Sequence, residues 1–330
     1  AAPWDDDWHA VATPDSRLLS SVEGASRTGH KFVHAACTLM SRAVRAELLT
    51  EVLGGQDPLA FANSTYTDHG YKESHQSTAL LQALFRTSVA RIGAPLDFYV
   101  EAGSMLGNSL LKTGRVAASL GILANLTLVA IDPFVGDVNM WYSEAPRLRK
   151  RLKFSYLRFQ RGQPTIYERF LANVAGYPAI AAAVLPLRTT AVVGLSLFPR
   201  LLRSGRLSRL PQAIYLDSSH EEGETFMELA TAWRALPPGG VLFGDDFEAF
   251  PGVRADVLTF AACLPPATPT AAAHLSQIGS ALLKTEGRSP LAPCSAASLR
   301  ELLSMHRGAN RTGRLCARGG RELLRRGNLW

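Results

Sequence analysis

The stretch AIYLDSSHEEGETFMELATAWRALPPGGVLFGDD, residues 213–246, decides the fold of this chain. Two short apolar runs, AIYL at its start and VLFG near its end, have the length and the side-chain types of buried strands. Residues 221–236 between them carry apolar side chains at helical spacing. Two strands separated by one helix indicate a βαβ unit, whose strands lie parallel in one sheet.

The same alternation of strand-like and helix-like segments runs through most of the chain. The expected strands cover residues 96–103, 126–132, 179–188, 212–217 and 239–246. The expected helices cover residues 108–121, 165–176, 191–205, 221–236 and 252–264. Several strands are apolar on both faces, which is typical of a sheet that helices cover on both sides. The sequence therefore predicts an α/β fold with a doubly wound, mostly parallel sheet, which a further strand within 274–286 would close.

Length and composition indicate one large core with appendages. The chain has 330 residues, of which 47% are hydrophobic and 19% are charged. We expect a helical and irregular extension over 1–72, a core domain over 73–287 and a basic extension over 288–330. Residues 137–163 are expected to be an insertion into the core domain that forms a lid or a substrate cap.

Charge and cysteine content argue against several classes of protein. The net charge of +7 comes from local basic clusters without an RNP, zinc-finger or helix-turn-helix pattern, so no nucleic-acid partner is predicted. The four cysteines show no Cys-x-x-Cys spacing, which argues against a zinc site. The apolar stretch 175–199 is interrupted by Pro178, Pro186 and Arg188, so we expect core segments there and no transmembrane helix.

The compartment and the assembly stay open at this stage. The chain begins AAPWDDDW without Met, so a lost leader peptide is one alternative, although a cytoplasmic location is favoured. A homo-oligomer is likewise an open alternative to a monomer.

Acidic side chains follow several of the expected strands. In an open parallel sheet, ligands bind beyond the carboxyl ends of the strands. The polar residues at those ends are therefore the candidates for a site. They are Glu101, Asp132, Arg188, Asp217, His220, Asp245 and Asp246.

The turn VEAGSMLGNS, residues 100–109, favours a ligand with a positive charge. Gly103 allows a tight turn after the strand, and Asn108 and Ser109 are expected to cap the next helix. A dinucleotide site would show Gly-x-Gly-x-x-Gly, whereas this turn reads Glu-x-Gly-x-x-x-Gly. A carboxylate would repel a pyrophosphate but suits an ammonium or sulfonium group. Asp132, at the end of the next strand, is placed to accept hydrogen bonds from ribose hydroxyls.

Four segments together resemble the successive motifs of class I S-adenosylmethionine-dependent methyltransferases. They are VEAGSMLGNS, VAIDPF, the block from Ala213 to Asp246, and PGVRADVLTFA. The sequence is most similar to the small-molecule O-methyltransferases that include the macrocin-type sugar methyltransferases. The resemblance implies a Rossmann-like sheet of seven strands with helices on both faces. It also implies S-adenosyl-L-methionine as cofactor and a small hydroxylated methyl acceptor, such as a sugar or a phenol-like molecule.

The resemblance assigns cofactor-binding residues in this sequence. The family's acid-x-Gly-x-x-x-Gly motif falls on Glu101, Gly103 and Gly107, around the methionine portion of the cofactor. Its ribose-binding acid falls on Asp132. Further cofactor contacts are expected from Ser104, Asn108, Ser109, Thr189 and Asp217.

The block 213–246 also supplies candidate catalytic residues. Methyl transfer to oxygen often needs a base, and His220 has an unperturbed pKa near 6.5, so neutral imidazole is available at physiological pH. Asp217 is expected to act beside it. Asp217, Asp245 and Asp246 are expected to hold one hard divalent cation, Mg²⁺ by preference, which would orient vicinal hydroxyls.

Helix capping is the competing interpretation of the same acidic residues. Ser219 and Glu222 have the spacing of a capping box, which predicts that they start the helix. Asp246 is in position to cap the turn into FEAFPG. Capping does not exclude catalysis, and it leaves the convergence of Asp217, His220 and Asp245 at one edge unexplained.

Two other functions fit the same fold. One is a nicotinamide-dependent oxidoreductase, against which the missing Gly-x-Gly-x-x-Gly motif argues. The other is a non-catalytic binding protein that retains the fold and binds an anionic partner through its basic tail.

Overall fold

The structure is a computed structural model that describes residues 44–66, 76–137, 140, 157–263 and 282–283. The chain divides into two units, Ala1–Leu39 and Met40–Trp330, and every described residue belongs to the second. The predicted extension over 288–330 and most of the predicted extension over 1–72 therefore lie outside the described residues. The same holds for much of the expected insertion over 137–163.

A six-stranded sheet forms the centre of the described part of the chain. Its strands are β1 Phe98–Ala102, β2 Thr127–Ile131, β5 Val184–Leu187, β6 Ala213–Leu216, β7 Val241–Gly244 and β8 Leu282–Leu283. Their order across the sheet is β5-β2-β1-β6-β7-β8. The first five are parallel, and β8 runs antiparallel to β7. The predicted α/β class with a doubly wound, mostly parallel sheet is confirmed.

The number of strands differs from the expectation. The resemblance implies seven strands, and the described residues supply six to the central sheet. Two more strands, β3 Phe159–Gln160 and β4 Gln163–Pro164, form a separate antiparallel hairpin. The seventh strand is therefore not confirmed.

The helices cover both faces of the sheet. The first, α1, occupies residues 44–51 of the described chain. The others are α2 Thr78–Ile92, α3 Asn108–Ser119, α4 Ile166–Ala175, α5 Pro178–Ala181, α6 Ala191–Arg203, α7 Glu224–Ala235 and α8 Pro251–Cys263. Short 3₁₀ turns lie at Pro58–Phe61, Ser64–Tyr66 and Leu123–Asn125. No described helix is long and apolar enough to cross a membrane.

One predicted strand is partly wrong. The expected strand over 179–188 begins instead with α5, and only Val184–Leu187 pairs with β2. Pro178 occupies the first turn of α5, where its missing N–H and its fixed φ angle suit a helix start. The alanines that follow have high helix propensity, and the β-branched Val184 marks the point where the strand begins.

The core lies in two layers because side chains alternate along each strand. Phe98 and Val100 of β1 face the layer that includes Leu48 of α1 and Phe198 of α6. Tyr99, between them, faces the opposite layer, which α2, α3 and α4 cover. All five residues of β1 are buried, as expected for a strand at the centre of a parallel sheet.

A substitution at Phe198 measures how much the layer around Phe98 and Val100 contributes to the stability of the fold. Phe198 is fully buried, and its ring meets the ring of Phe98 edge to face at 5.3 Å between centroids. Phe198→Ala should lower the free energy of unfolding by about 3 to 5 kcal/mol, since it leaves a cavity against the sheet. Val193→Ala, on the same helix and 54% exposed, should change it by less than about 0.5 kcal/mol. Urea denaturation measures both, and equal effects of the two substitutions would contradict this packing.

Candidate functional site

The order in which the chain adds parallel strands to the sheet reverses between β1 and β6. From β1 the chain goes to β2 on one side, and later returns to place β6 on the other side. Such a switch point opens a crevice at the carboxyl ends of the strands, where ligands bind in this class of sheet. The structure brings Glu101, Asp132, Asp217 and Asp245 to this edge, as the sequence predicts.

Gly103 permits the closest approach across the switch point. Its φ angle is 91°, and a Cβ at this position would lie 1.9 Å from the carbonyl oxygen of Asp217. An L side chain would therefore be strained by the backbone conformation and would also collide with the backbone of the next loop. The turn after β1 and the turn after β6 consequently meet at backbone distance.

The helix after this turn begins differently from the prediction. Gly107, with a φ angle of 88°, is the N-cap of α3, and no side chain caps this helix by a hydrogen bond. Asn108 and Ser109 are the first two helical residues, so the expectation that they cap the helix is wrong. The physical reason is that Ser109 Oγ donates its hydrogen bond to Glu101 Oε1, at 2.8 Å, instead of serving the helix backbone.

Glu101 is a fully buried carboxyl at the end of β1. Its Oε2 atom makes no hydrogen bond of standard geometry within the described part of the chain, although the Ser104 hydroxyl and the Leu110 backbone N–H lie close enough to the carboxyl group to lower its pKa. Burial raises the pKa of Glu101 to about 8, although the hydrogen bond from Ser109 partly offsets this effect. A buried acid in this state would gain from a cationic ligand that replaces its proton.

Asp132 joins the loops after β1 and β2. Its Oδ2 accepts a hydrogen bond from the backbone N–H of Met105 at 2.8 Å, and its Oδ1 accepts one from Phe134 at 2.5 Å. Met105 and Phe134 both have positive φ angles, 42° and 56°. Burial raises the pKa of Asp132, and the two backbone hydrogen bonds lower it. The carboxylate therefore has a structural role in addition to the expected ribose contact.

Beside the end of β5, the cationic side chain of Arg188 packs on the aromatic ring of Tyr167. Arg188 hydrogen-bonds Gln163, and its guanidinium lies over the ring of Tyr167, 5.2 Å from the centroid. That ring lies 4.9 Å from the ring of Phe134. Thr189, the expected adenine contact, follows Arg188 and is half-buried. Arg188 and Thr189 are therefore brought to the same edge as Asp132, on its far side from Glu101.

A second acidic cluster lies beyond β6 and β7. The hydroxyl of Tyr215 lies 3.2 Å from Asp217 Oδ2 and 3.4 Å from Asp245 Oδ2, so it bridges the two carboxyl groups. Burial raises the pKa of Asp217 well above its ordinary value, and the charges of Asp245 and Asp246 raise it further. Crowded carboxyl groups of this kind favour a bound cation, which would relieve their repulsion.

His220 lies between two carboxylates. Its Nδ1 is 3.0 Å from Asp137 Oδ2, its Nε2 is 2.7 Å from Asp246 Oδ2, and its ring packs on Phe250 at 4.2 Å. Burial alone would lower the pKa of His220. The hydrogen bonds to Asp137 and Asp246 outweigh burial and raise that pKa to about 10. In this arrangement the ring is an imidazolium that donates from both nitrogens.

Asp137 is a site residue that sequence reasoning missed. It lies in the loop after β2, at the first position of the segment that the sequence analysis treats as an insertion. No strand end and no motif marks it, and the contact spans 83 positions of the chain. Only the folded arrangement of the loops after β2 and β6 brings it to His220.

The cluster that could hold a metal differs slightly from the predicted one. Ligand atoms of Asp217, His220 and Asp246 all lie within 4.8 Å of one another. Asp245, the third predicted ligand, accepts a hydrogen bond from the backbone N–H of Asp246 at 2.8 Å through Oδ1. Its Oδ2 faces Tyr215 and the Asp217 carboxyl. All three predicted aspartates therefore converge beside His220, which as an imidazolium has no free ring nitrogen to serve as a metal ligand.

The predicted capping box is wrong. Helix α7 begins at Glu224, with Gly223 as its N-cap and no capping side chain of its own, rather than at Ser219. The carboxylate of Asp256, from α8, accepts hydrogen bonds from the backbone N–H groups of Gly223 at 2.7 Å and Phe226 at 3.0 Å. The first turn is thus capped by a neighbouring helix, a long-range contact that a local spacing cannot reveal.

Ser218 and Ser219 make a different contact. Their hydroxyls donate to Oε2 and Oε1 of Glu228, each at 2.6 Å. The carboxylate of Asp246, expected to cap the following turn, faces His220 instead. The serine residues therefore belong to the site and not to the helix start.

Comparisons with known proteins find similar structures. No protein-family model matches the chain, and no curated protein matches it. It is similar to the O-methyltransferase NovP, at 16% identity over 69% of this chain and 90% of that one, with a TM-score of 0.40. It is also similar to the O-methyltransferase TomG from Streptomyces achromogenes, at 17% identity over 69% and 70% of the two chains and a TM-score of 0.34.

A third similar structure is the O-methyltransferase from Bacillus cereus, at 12% identity over 70% of this chain and 89% of that one, with a TM-score of 0.34. TomG was crystallised with SAM and the Bacillus cereus protein with SAH. At these TM-scores we take neither fold nor function from the likeness. The strand order itself defines the fold class.

The contacts of His220 with Asp137 and Asp246 predict a pKa well above the ordinary value for histidine. Asp137→Asn should lower the pKa of His220 from about 10 by more than about one unit, since one of two carboxylate partners is lost. Histidine proton chemical shifts in NMR spectra measure it. Glu222→Gln, which removes an exposed charge two residues away, should leave that pKa unchanged.

The same shift has a consequence for stability. The folded pKa lies above the unfolded value of about 6.5, so the stabilisation is fully present below pH 6.5 and is lost as the pH rises through about 10. Thermal unfolding of the unsubstituted protein should show this loss, and Asp137→Asn should show less of it. A His220 that titrates near 6.5 in the unsubstituted protein would contradict the arrangement.

Proposed function

We propose that this chain is an S-adenosylmethionine-dependent methyltransferase that transfers a methyl group to an oxygen of a small hydroxylated molecule. The observation that carries the proposal is Glu101, a buried acid at the switch point of the sheet, one of whose oxygens makes no hydrogen bond of standard geometry to a described residue. A pyrophosphate would be repelled there. The ammonium group of a methionine moiety would pair with the carboxylate and offset the cost of its burial.

Asp132 supports a nucleoside beside that moiety. It lies at the end of β2, next to β1, and each of its oxygens accepts one backbone hydrogen bond. A carboxylate oxygen can accept more than one hydrogen bond, so both atoms can also accept from vicinal ribose hydroxyls. We place the adenine toward Thr189, at the end of the adjacent β5, where Arg188 and Tyr167 provide flat surfaces.

Asp217, Asp245 and Asp246 fit a divalent cation. All three carboxyl groups converge at the ends of β6 and β7, and their mutual repulsion contributes to the raised pKa of Asp217. Oxygen ligands of this kind suit Mg²⁺. When bound, the cation would supply Lewis-acid chemistry that orients the acceptor's hydroxyls and lowers their pKa. The carboxyl groups of these residues would hold it.

His220 is proposed as the base that takes the acceptor's proton. Nδ1 donates to Asp137, so Nε2 is the ring atom that turns toward Asp246 and the cleft. This part of the proposal requires the ring to lose its Nε2 proton before the acceptor binds, because both nitrogens donate in the described arrangement. Departure of Asp246 from the ring would favour that loss, since Asp246 is one of the two carboxylates that raise the pKa of His220. Asp217 lies in the same cleft and would orient the hydroxyl.

The acceptor is proposed to be a small molecule. The cleft beside the acidic cluster is small, and eight of its ten lining residues have polar side chains, with Leu216 and Val253 as the apolar ones. A sugar or a phenol-like molecule offers the vicinal hydroxyls that such a lining suits. We retain a cytoplasmic location and leave open whether the chain forms a homo-oligomer.

The cofactor that the protein binds distinguishes a methyltransferase from a nicotinamide-dependent oxidoreductase. S-adenosylhomocysteine should raise the melting temperature of the protein, and NAD⁺ should not. Glu101→Gln should weaken S-adenosylhomocysteine binding at least about ten-fold, because it removes a charge-assisted hydrogen bond. Isothermal titration calorimetry measures the affinity. Stabilisation by NAD⁺ alone would refute the methyltransferase proposal.

The same substitution should have the opposite effect on the unliganded protein. The folded pKa of Glu101, about 8, lies above its unfolded value of about 4.5, so the unsubstituted protein loses stability as the pH rises between them. Glutamine needs no proton, so Glu101→Gln should melt at a higher temperature at pH 7.5. Asp97→Asn, at a buried acid before β1 that pairs with Arg209, should leave cofactor affinity unchanged, because Asp97 lies at the opposite end of β1 from Glu101.

The acidic cluster predicts a divalent-cation site. Mn²⁺, a paramagnetic substitute for Mg²⁺, should bind one site per chain in electron paramagnetic resonance titrations, and Asp217→Asn and Asp246→Asn should each weaken it at least about ten-fold. Asp57→Asn should have no effect, since Asp57 pairs with Arg45 away from the cleft. Equal Mn²⁺ affinity in all four proteins would rule out this site and leave the cofactor assignment standing.

A further inference from the structure

We propose that Glu228 of α7 is a positioning residue that orients Asp217 and His220 by holding the serine pair between them. Nothing in the sequence motif suggests this role, because Glu228 lies eight residues beyond His220 inside a helix. The inference deepens the proposed function, on which its consequence for the cation depends. The positioning itself does not depend on it.

The contacts are those of a two-point clamp. Oε2 of Glu228 accepts from Ser218 and Oε1 accepts from Ser219, each at 2.6 Å. One carboxylate thus engages two consecutive side chains, which is possible only for a bent backbone, since neighbouring side chains of an extended segment point in opposite directions. The bend determines where Asp217, just before the pair, and His220, just after it, can point.

The carboxyl group of Glu228 is buried. Glu228 is 5% exposed, and a carboxylate in such a place is costly unless hydrogen bonds satisfy it. Burial raises its pKa, and the two serine hydroxyls lower it. An apolar residue would fill this helix position at lower cost if packing were its only role. The carboxylate is therefore best explained by the loop that it holds.

The rest of the connection to α7 is held by other groups. Thr225 donates through Oγ1 to the carbonyl oxygen of Ser219 at 2.8 Å, and Asp256 binds the backbone N–H groups of Gly223 and Phe226. These contacts act where the loop enters the helix. Glu228 acts nearer the cleft, on the side chains that adjoin Asp217.

Glu228 lines the same cleft as Asp217, His220 and Asp246. It is not in the group of three whose ligand atoms lie within 4.8 Å of one another. Its two oxygens are engaged by the serines, so it acts on the cation site through the loop and not as a ligand. A positioning residue of this kind should control cation affinity without touching cofactor.

The test compares Glu228→Gln with Glu224→Gln. Both residues lie on α7, one turn apart, and both substitutions remove one negative charge, but Glu224 is exposed. Hydrogen–deuterium exchange of the backbone amides of residues 217–223, without cation, reports the position of the loop. Mn²⁺ affinity, measured by electron paramagnetic resonance, reports the consequence. S-adenosylhomocysteine affinity reports whether the neighbouring cofactor site is intact.

Glu228→Gln should raise exchange in residues 217–223 and weaken Mn²⁺ binding at least about ten-fold. S-adenosylhomocysteine affinity should change less than Mn²⁺ affinity, and Glu224→Gln should resemble the unsubstituted protein in every measurement. Ser219→Ala, which removes one of the two donors, should have the same effects to a smaller degree and serves as the second variant if Glu228→Gln does not fold.

Unchanged exchange in residues 217–223 in both Glu228→Gln and Ser219→Ala would overturn the proposal. So would increased exchange with unchanged Mn²⁺ affinity. These outcomes are separate from a failure of the proposed function. That failure would show in the unsubstituted protein, as an inability to bind S-adenosylhomocysteine.

Discussion

The contact between Gly103 and the backbone of Asp217 is the constraint on which the site depends. It lies where the order of the parallel strands reverses, and a side chain at position 103 would overlap the Asp217 carbonyl group. Because the two turns meet at backbone distance, the acids on the β1 and β2 side come next to the cluster on the β6 and β7 side. A methyl donor and a methyl acceptor need such neighbouring sites, since the transfer requires close, aligned reactants.

The distribution of charge supports the same interpretation. Glu101, Asp132 and Asp217 all have raised pKa values, and burial is the largest cause for each of them. A sheet edge that served only stability would avoid this cost. The ligand that would offset this cost of burial differs between the two sides. An ammonium group fits beside Glu101, and a divalent cation fits among the aspartates.

The sequence was sufficient for the sheet and for the residues at its edge. Hydrophobic runs of strand length and the helices between them gave the parallel order, and the rule for strand ends placed Glu101, Asp132, Asp217 and Asp245 correctly at one edge. These features depend on local patterns, which repeat along a chain and can be read without knowledge of distant contacts.

The contacts that the sequence could not provide are long-range. Asp137 reaches His220 across 83 positions, and Asp256 caps α7 from another helix, where the local spacing indicated Ser219 and Glu222. The same holds for the role of His220. Its residue type suggests a neutral base, but the two carboxylates that face it in the fold give an imidazolium. Side-chain partners of this kind depend on how loops meet and not on the pattern of either loop.

The carboxyl edge of the sheet carries two groups of loops that meet at Gly103, and this arrangement has a consequence for protein engineering. In the proposed methyltransferase, the donor half and the acceptor half of the site are built from different loops, which meet at the Gly103–Asp217 backbone contact and at the Asp137–His220 pair. Substitutions confined to the loops after β6 and β7 could therefore alter which alcohol the protein recognises, while the residues that bind the methyl donor stay unchanged.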